Sequence, residues 1–329
     1  MAALVPGRAG PLATLTIAAN ALAPLKLCFE SGHRLPCRGP VPLDDRAREA
    51  RNRLWNLPPD FGYREFHFVR AGVTDAARIR VLVLDKSSEP WRENWEPAVF
   101  GPYTIGFPNT VQESLDARLR GLGFGARNPL ERTMFHHPDG RSWEILESLA
   151  TAPEFIATVG IARGADSPPI SPVDASGLGG PAYSMCVVPD IDSAAEFMQQ
   201  VLGFEIRNRR RQTSAGRQGA MNTPDGTQFD IAQVYPPYGS HGFLIFIQFI
   251  NMAVAAAPRP PRLPATGLVM YSFPVNDLEA ALTRAATMGA ADIRGPARFR
   301  DPLHGDTQHA CLRMPGDICI ELFSTNPSC

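Results

Sequence analysis

Apolar residues along the chain fall into short runs of strand length, each followed by a stretch whose apolar positions recur at helical spacing, and this order appears four times. The third copy is the most regular. Ala182 to Asp190 reads as a strand, Ser193-x-x-Glu196 as a capping box, and Ala195, Phe197, Met198 and Val201 as the apolar face of a helix that Gly203 stops. The fourth copy runs from a strand at Gly267 to Val275 through Asn276-x-x-Glu279 to a helix ending near Gly289. The second runs from Tyr103 to Phe107 through Thr110-x-x-Glu113 to a helix ending near Gly123. A weaker first copy begins at Leu12 to Ala19, starts its helix near Asn20 and stops it near Gly32. Each helix spans about 10 to 13 residues, roughly three turns at 3.6 residues each.

A turn phrase recurs after the helices. Pro138-Asp139-Gly140, Pro224-Asp225-Gly226 and Pro315-Gly316-Asp317 each lead into an apolar strand carrying a carboxylate, namely Glu144, Asp230 and Glu321. Alternation in a strand sends Trp143, Phe229 and Ile320 to one face and the three carboxylates to the other, where they must meet water, a metal or a ligand. The repeated unit is therefore strand, helix, then about three strands, giving an α+β fold of four βαβββ modules. Module 1 is irregular: it carries an inserted charged helix, Asp44 to Leu57, and its last strand, Ala77 to Leu84, has no carboxylate. The Pro-, Gly- and Ser-rich stretch 164–181 reads as a linker between two module pairs, 1–163 and 182–329.

Composition narrows the function classes. The chain has 329 residues, 44% hydrophobic and 20% charged, with a formal net charge of -1, which suits a soluble protein of about two domains and gives no reason to expect nucleic acid as a partner. No segment approaches the roughly 18 apolar residues of a membrane span, and the N-terminus has no signal-peptide pattern, so a cytoplasmic location is expected. The six cysteines form no Cys-x-x-Cys pair and read as reduced, buried thiols.

The strand-helix segment Val187-Val188-Pro189-Asp190-Ile191-Asp192-Ser193-Ala194-Ala195-Glu196-Phe197, then Val201-Leu202-Gly203-Phe204, together with the Pro-Asp-Gly turn, resembles the vicinal oxygen chelate superfamily. That superfamily includes glyoxalase I, the extradiol dioxygenases and the bleomycin-resistance proteins. The resemblance implies modules paired into two cupped half-barrels. It also implies metal ligands on the first strand of each module and a carboxylate on the last. In the second half those positions hold Tyr183, Met270, Asp230 and Glu321, of which only Glu321 is a standard ligand where the family would place one. A set of two His and one carboxylate is absent, so no metal cofactor is expected. His309, in the strand before Glu321, is a further catalytic candidate; if a metal binds, Glu321 and His309 are the residues to hold it, and His304 lies in the loop before His309.

If modules 3 and 4 pair, Asp230 and Glu321 meet across one cup, where one holds a proton and acts as acid while the other acts as base. Tyr183 then donates to a substrate oxygen. The expected activity is a lyase or isomerase that moves a proton beside a carbonyl or phenol of a small aromatic molecule. The alternatives are sequestration of a hydrophobic small molecule without turnover, or a metal-dependent extradiol-type dioxygenase. Met270, Tyr235 and Tyr238 are candidate substrate contacts, with Trp91, Trp95, Phe100, Tyr103 and Phe243 as further aromatic walls. Arg207, Arg209 and Arg211 share one face of a strand and are read either as a solvated edge or as a clamp for an anionic group. The apolar run Phe243 to Ile250, if uncovered within the chain, calls for a homodimer.

Overall fold

The computed structural model describes residues 9–73, 76–125, 130–136, 142–164, 167, 170–214, 216, 221, 223–237 and 239–324. Its element order repeats βαβββ four times. Module 1 holds β1 (Thr14–Ala19), α1 (Ala23–Lys26) running on into a π turn (Leu27–Gly32), β2 (Cys37–Val41), the inserted α2 (Asp45–Leu54), β3 (Tyr63–Phe68) and β4 (Arg78–Leu84). Module 2 holds β5 (Gly101–Pro108), α3 (Gln112–Gly121), β6 (Glu131–His136), β7 (Ser142–Thr151) and β8 (Ala157–Arg163). Module 3 holds β9 (Tyr183–Val187), α4 (Ile191–Leu202), β10 (Glu205–Thr213), β11 (Gln228–Tyr235) and β12 (Phe243–Phe249). Module 4 holds β13 (Gly267–Pro274), α5 (Leu278–Thr287), β14 (Ala291–Asp301), β15 (Gly305–Met314) and β16 (Ile318–Ser324).

The pairing of modules differs from the expectation. One sheet runs β14-β15-β16-β13-β1-β4-β3-β2 and joins module 4 to module 1; the other runs β10-β11-β12-β9-β5-β8-β7-β6 and joins module 3 to module 2. First strands meet antiparallel at each centre, β1 with β13 and β5 with β9. The Pro-rich stretch 164–181 therefore connects modules within one sheet and does not divide the sheets. The crossings between sheets are the segments after β4 and after β12, which run side by side through the bridges Pro90–Thr266 and Val99–Ala255. Trp91 fixes this crossing, because its indole lies against both Gly101 and Gly267, where any β-carbon would come within about 3 Å of the ring. Trp91 is thus packing between modules, not a pocket wall.

The helices start one to three residues from the expected caps. Asp190, not Ser193, caps α4 by accepting from the N–H groups of Asp192 and Ser193, and Asp277, not Asn276, caps α5. Gly203 ends α4 in the left-handed region at φ 70°, as its place after the last apolar residue predicts. Convex faces and helices share one apolar core that includes Ile17, Phe107, Phe197, Phe246 and Tyr271. The Tyr271 hydroxyl bonds across it to the Ser184 hydroxyl of the other sheet at 2.7 Å. Phe243 to Phe249 is an interior strand between β11 and β9, so this run is covered within the chain and supplies no reason for a second copy.

Candidate functional site: one cup sealed, one cup open

The two concave faces have opposite contents, and the inserted helix of module 1 is the reason. Ala47, Ala50, Arg51 and Leu54 recur at helical spacing and form the buried face of α2, which packs on β14. This face carries the Arg51 guanidinium into the module 1/4 cup, over the rings of Trp55 at 5.0 Å and Phe299 at 5.7 Å. There it bonds Glu65 at 2.5 Å and Asp301 at 2.7 Å. Arg80, from β4, bonds the same Asp301 oxygen at 2.7 Å and Glu321 at 3.3 Å, and its Nε lies 3.4 Å from Glu65. Two guanidiniums thus face three carboxylates, and the side chains of Arg51, Arg80, Asp301 and Glu321 are all 0% exposed.

Burial raises each of these carboxyls, but the cations outweigh it. Arg51 first, then the His67 hydrogen bond and Arg80, bring Glu65 down to about 2. His309 and Arg80 hold Glu321 far below the carboxylate range, and Arg80 and Arg51 do the same to Asp301. Beside this network a cavity of about 30 Å³, bordered by Leu54, Trp55, Met270 and Cys311, has room for about two waters and is too small for a substrate.

The module 2/3 cup holds a cavity of about 380 Å³, within the roughly 300–1,000 Å³ typical of small-molecule sites. Its floor is apolar: Val159 and Ile161 on β8 and Phe243, Ile245 and Ile247 on β12, with Met185 on β9 beside them. Tyr183 crosses the centre, its ring stacked on Phe243 at 5.0 Å, and Phe243 stacks in turn on Tyr235 at 4.1 Å. A β-carbon at Gly106 would lie 2.2 Å from the Tyr183 ring, so only glycine on β5 lets this ring lie over the neighbouring strand. Burial raises the Tyr183 hydroxyl well above its ordinary pKa, and Glu147 adds to the rise.

Four charged side chains line this cavity among the described residues: Glu131, Glu147, Arg163 and Arg210. Glu147 follows Trp143 and Ile145 at alternate positions on the cup face of β7 and pairs in register with Glu131 of β6. Its apolar surroundings, and then the Glu131 carboxylate, push its carboxyl up to about 7, with Arg210 from the opposite edge of the sheet pulling the other way. Burial lowers both guanidiniums, Arg163 lying over the Trp143 ring at 5.7 Å.

The residues expected from sequence are scattered over these surfaces. Glu321 and His309 do share the module 1/4 cup, with the imidazole Nδ1 3.3 Å from the carboxylate, and Met270 packs there against Cys311. His309 Nε2 lies 2.6 Å from Thr307 Oγ1 and its ring stacks on Phe299, while His304 stacks on Phe323 and lies 3.1 Å from Thr14 Oγ1. Asp230 lies in the other sheet, on the outer face of β11, held by Arg211 at 2.8 and 3.0 Å. Asp230 and Glu321 therefore do not form a pair. The turn phrase heads the third strand of modules 2 and 3 but the last strand of module 4, so one sequence offset leads to opposite faces: Phe229 points into a cup where Ile320 points into the central core.

Glu144 likewise lies outside the cup, paired with Arg132 at 2.5 Å. Arg209 pairs with Asp192 of α4, and Arg207 holds Glu205 and lies over Tyr235 at 5.0 Å, so the exposed arginines are an outer edge and the intervening Arg210 is the one that lines the cavity. Tyr238 lies outside the described residues. Glu147, Arg163, Arg51, Arg80 and Glu65 were not singled out from sequence. The available signal was a charged residue at an inward position of an apolar strand, as at Glu147 between Ile145 and Leu149.

The residues present do not fit a metal centre of the kind the resemblance implies. Last strands β8 and β12 offer Val159, Ile161, Arg163, Phe243, Ile245 and Ile247 to their cup, none of them a metal ligand. On β4 and β16 the place beside Glu321 is taken by the Arg80 guanidinium. Among the described residues no group of three or more His, Cys, Asp or Glu side chains is arranged to hold a metal ion. No described helix is long and apolar enough to cross a membrane.

Comparison with known proteins agrees with the fold. Residues 181–303 match the model of the Glyoxalase/Bleomycin resistance protein/Dioxygenase superfamily. The structure is similar to glyoxalase I from Zea mays at 13% identity, with TM-score 0.55 and coverage of 95% of this chain and 92% of that one. A mutant form of the same enzyme aligns at TM-score 0.60, also at 13% identity and the same coverage. A proposed dioxygenase from Bacillus subtilis aligns at TM-score 0.57 and 11% identity, covering 98% of this chain and 87% of that one. No curated protein sequence matches the chain.

Proposed function

We propose that this chain, a protein of the vicinal oxygen chelate fold, binds a small, largely apolar molecule in the module 2/3 cup and moves a proton beside its carbonyl, with Glu147 as the acid–base group. The observation that carries this reading is a carboxyl brought to about 7 inside a 380 Å³ cavity with an apolar floor. At neutral pH such a group is divided between its two forms. As carboxylate it takes a proton from carbon, and as acid it returns one, the pairing of properties that general acid–base catalysis requires. Tyr183 keeps its proton at all relevant pH and is a hydrogen-bond donor for the enolate oxygen that forms. The apolar floor positions an aromatic or branched body.

The test is hydrogen–deuterium exchange beside the carbonyl, followed by proton NMR in D2O with 3-benzoylpropionate and its methyl ester as carbon acids. Catalysed exchange is expected in the wild type and a loss of about 100-fold or more in Glu147→Gln. Exchange unaffected by Glu147→Gln would sink the assignment. The second reading, binding without turnover, is favoured by the predominantly apolar floor of the cavity. It predicts saturable binding with no exchange above the uncatalysed rate.

A further inference from the structure

In the module 1/4 cup, away from the proposed reaction site, we propose that Cys311, Cys319 and Met270 form a three-sulfur site for a soft monovalent metal ion of the copper(I) class. The three residues sit on adjacent strands, β15, β16 and β13, and all line the cavity of about 30 Å³ that Leu54 and Trp55 border. The Pro315-Gly316-Asp317 turn folds β16 back on β15 so that Arg313 pairs with Cys319 and Cys311 with Glu321, which makes the two cysteines diagonal neighbours on the cup face. Parallel pairing of β13 with β16 sets Tyr271 beside Ile320, and one residue earlier the same register carries Met270 beside Cys319. Cys319 is thus on the middle strand of the three. Side chains from the strands on either side of it meet, with Cys311 Sγ 3.8 Å from Met270 Sδ.

That separation decides what the cluster can do. Two sulfurs bound to one ion at about 2.3 Å, as in zinc–thiolate bonds, and at an angle between tetrahedral and trigonal lie about 3.8–4.0 Å apart. An ion therefore enters with little movement of either side chain. A disulfide fits less well, because diagonal residues of an antiparallel pair lie about 7–8 Å apart, beyond the roughly 4.4–6.8 Å between α-carbons that a disulfide joins. The donor set selects the metal: thiolate and thioether sulfurs suit copper(I), calcium and magnesium want oxygen, and structural zinc wants four ligands where this cluster has three. Burial keeps both thiols protonated, pushing Cys319 up to about 12, and the Glu321 carboxylate adds to the rise. Each thiol that binds gives its proton to solvent as the sulfur–metal bond forms, two protons per ion. One ion and two thiolates leave one negative charge, which is favoured by the guanidiniums of Arg262 and Arg313, joined through Asp292 at 2.8 and 2.7 Å. Cys319 is half-buried where Cys311 is buried, so Cys319 is on the side of entry.

Anaerobic titration of the reduced full-length protein with copper(I), in competition with bicinchoninate, tests the site. The parent is expected to hold one more ion per chain than Cys319→Ala, since every other cysteine is common to both. Changes just outside a metal's ligands cost roughly 10–100-fold in affinity, so loss of a ligand in Cys311→Ser or Cys319→Ala should cost at least about 100-fold. Met270→Leu keeps the volume, removes only the sulfur and should cost about tenfold. At one ion per chain, X-ray absorption at the copper edge should show three sulfurs at about 2.3 Å. If Cys311→Ser fails to fold, Cys319→Ala at its half-buried position and the volume-conserving Met270→Leu still decide the matter. Copper affinity unchanged in both of these variants, no copper held by the parent, or nitrogen and oxygen donors in the absorption spectrum would overturn the proposal.

Discussion

Replacing Arg80 with methionine removes the cation that binds Asp301 and Glu321 while keeping most of the side-chain volume, and so isolates the electrostatic role of the sealed cup. Both carboxylates are buried, and Arg80 is one of the cations that hold their pKa values far below the ordinary range. Removing one partner of a buried ion pair costs about 3–5 kcal/mol, because the other charge stays buried without it. Here Arg51 still holds Asp301 at 2.7 Å, and Ser272 still donates to Glu321 at 2.8 Å, which places the expected loss near the lower end, about 3 kcal/mol. Urea denaturation followed by circular dichroism measures it.

The sign of the pH dependence is fixed by the same groups. Carboxyls whose folded pKa is depressed contribute stability that is present above the unfolded value near 4.5 and lost as pH falls through the folded one, about 2 for Glu65. Without Arg80 the folded pKa values of Glu321 and Asp301 rise, so the penalty of Arg80→Met shrinks from pH 7 to pH 5. Adding Glu321→Gln to Arg80→Met should recover part of the loss, since the stranded charge is then gone. A change below about 1 kcal/mol at pH 7, or a penalty that Glu321→Gln does not relieve, would refute the account of this cup.

Other expectations concern the open cup and its outer face. Gly106→Ala forces a β-carbon to within 2.2 Å of the present Tyr183 ring position, so it should destabilise by about 1–3 kcal/mol in the same assay and weaken ligand binding by displacing the ring. Asp230→Asn should change stability by less than about 1 kcal/mol and leave the exchange rate as it is, because its ion pair with Arg211 lies on the outer surface. The exchange rate should rise with pH through about 7 as Glu147 becomes a carboxylate, and a pH profile flat between 6 and 8 would contradict its role as base.

The four-module order was legible because each module announces itself locally, in Gly203 after an apolar helix face or in a Pro-Gly turn before a strand. Pairing of modules was not, since it depends on which first strands meet. The hydrophobic pattern of β1 and β9 is satisfied equally well by either neighbour, and the richest Pro-Gly linker turned out to join modules of one sheet. The carboxylate pair failed for a related reason: a fixed distance from a turn fixes the face only if the strand has the same place and direction in its module. Asp230 and Glu321 occupy different strands of the unit. Arg51 was hidden by its setting, because a charged helix in an insertion reads as solvent-exposed until its Ala47, Ala50 and Leu54 face is known to cover a cup. Glu147 was legible in principle, as the one acidic member of the alternating set Ile145, Glu147, Leu149.

On the proposed function, the module 2/3 cup keeps a carboxyl poised at neutrality. Its most direct test is a titration of the Glu147 side-chain carboxyl by carbon-13 NMR in the ligand-free protein, assigned with Glu147→Gln. A midpoint near 7 is predicted. A midpoint at the ordinary glutamate value of about 4.3 would contradict the account, because at pH 7 the group would hold no proton to give.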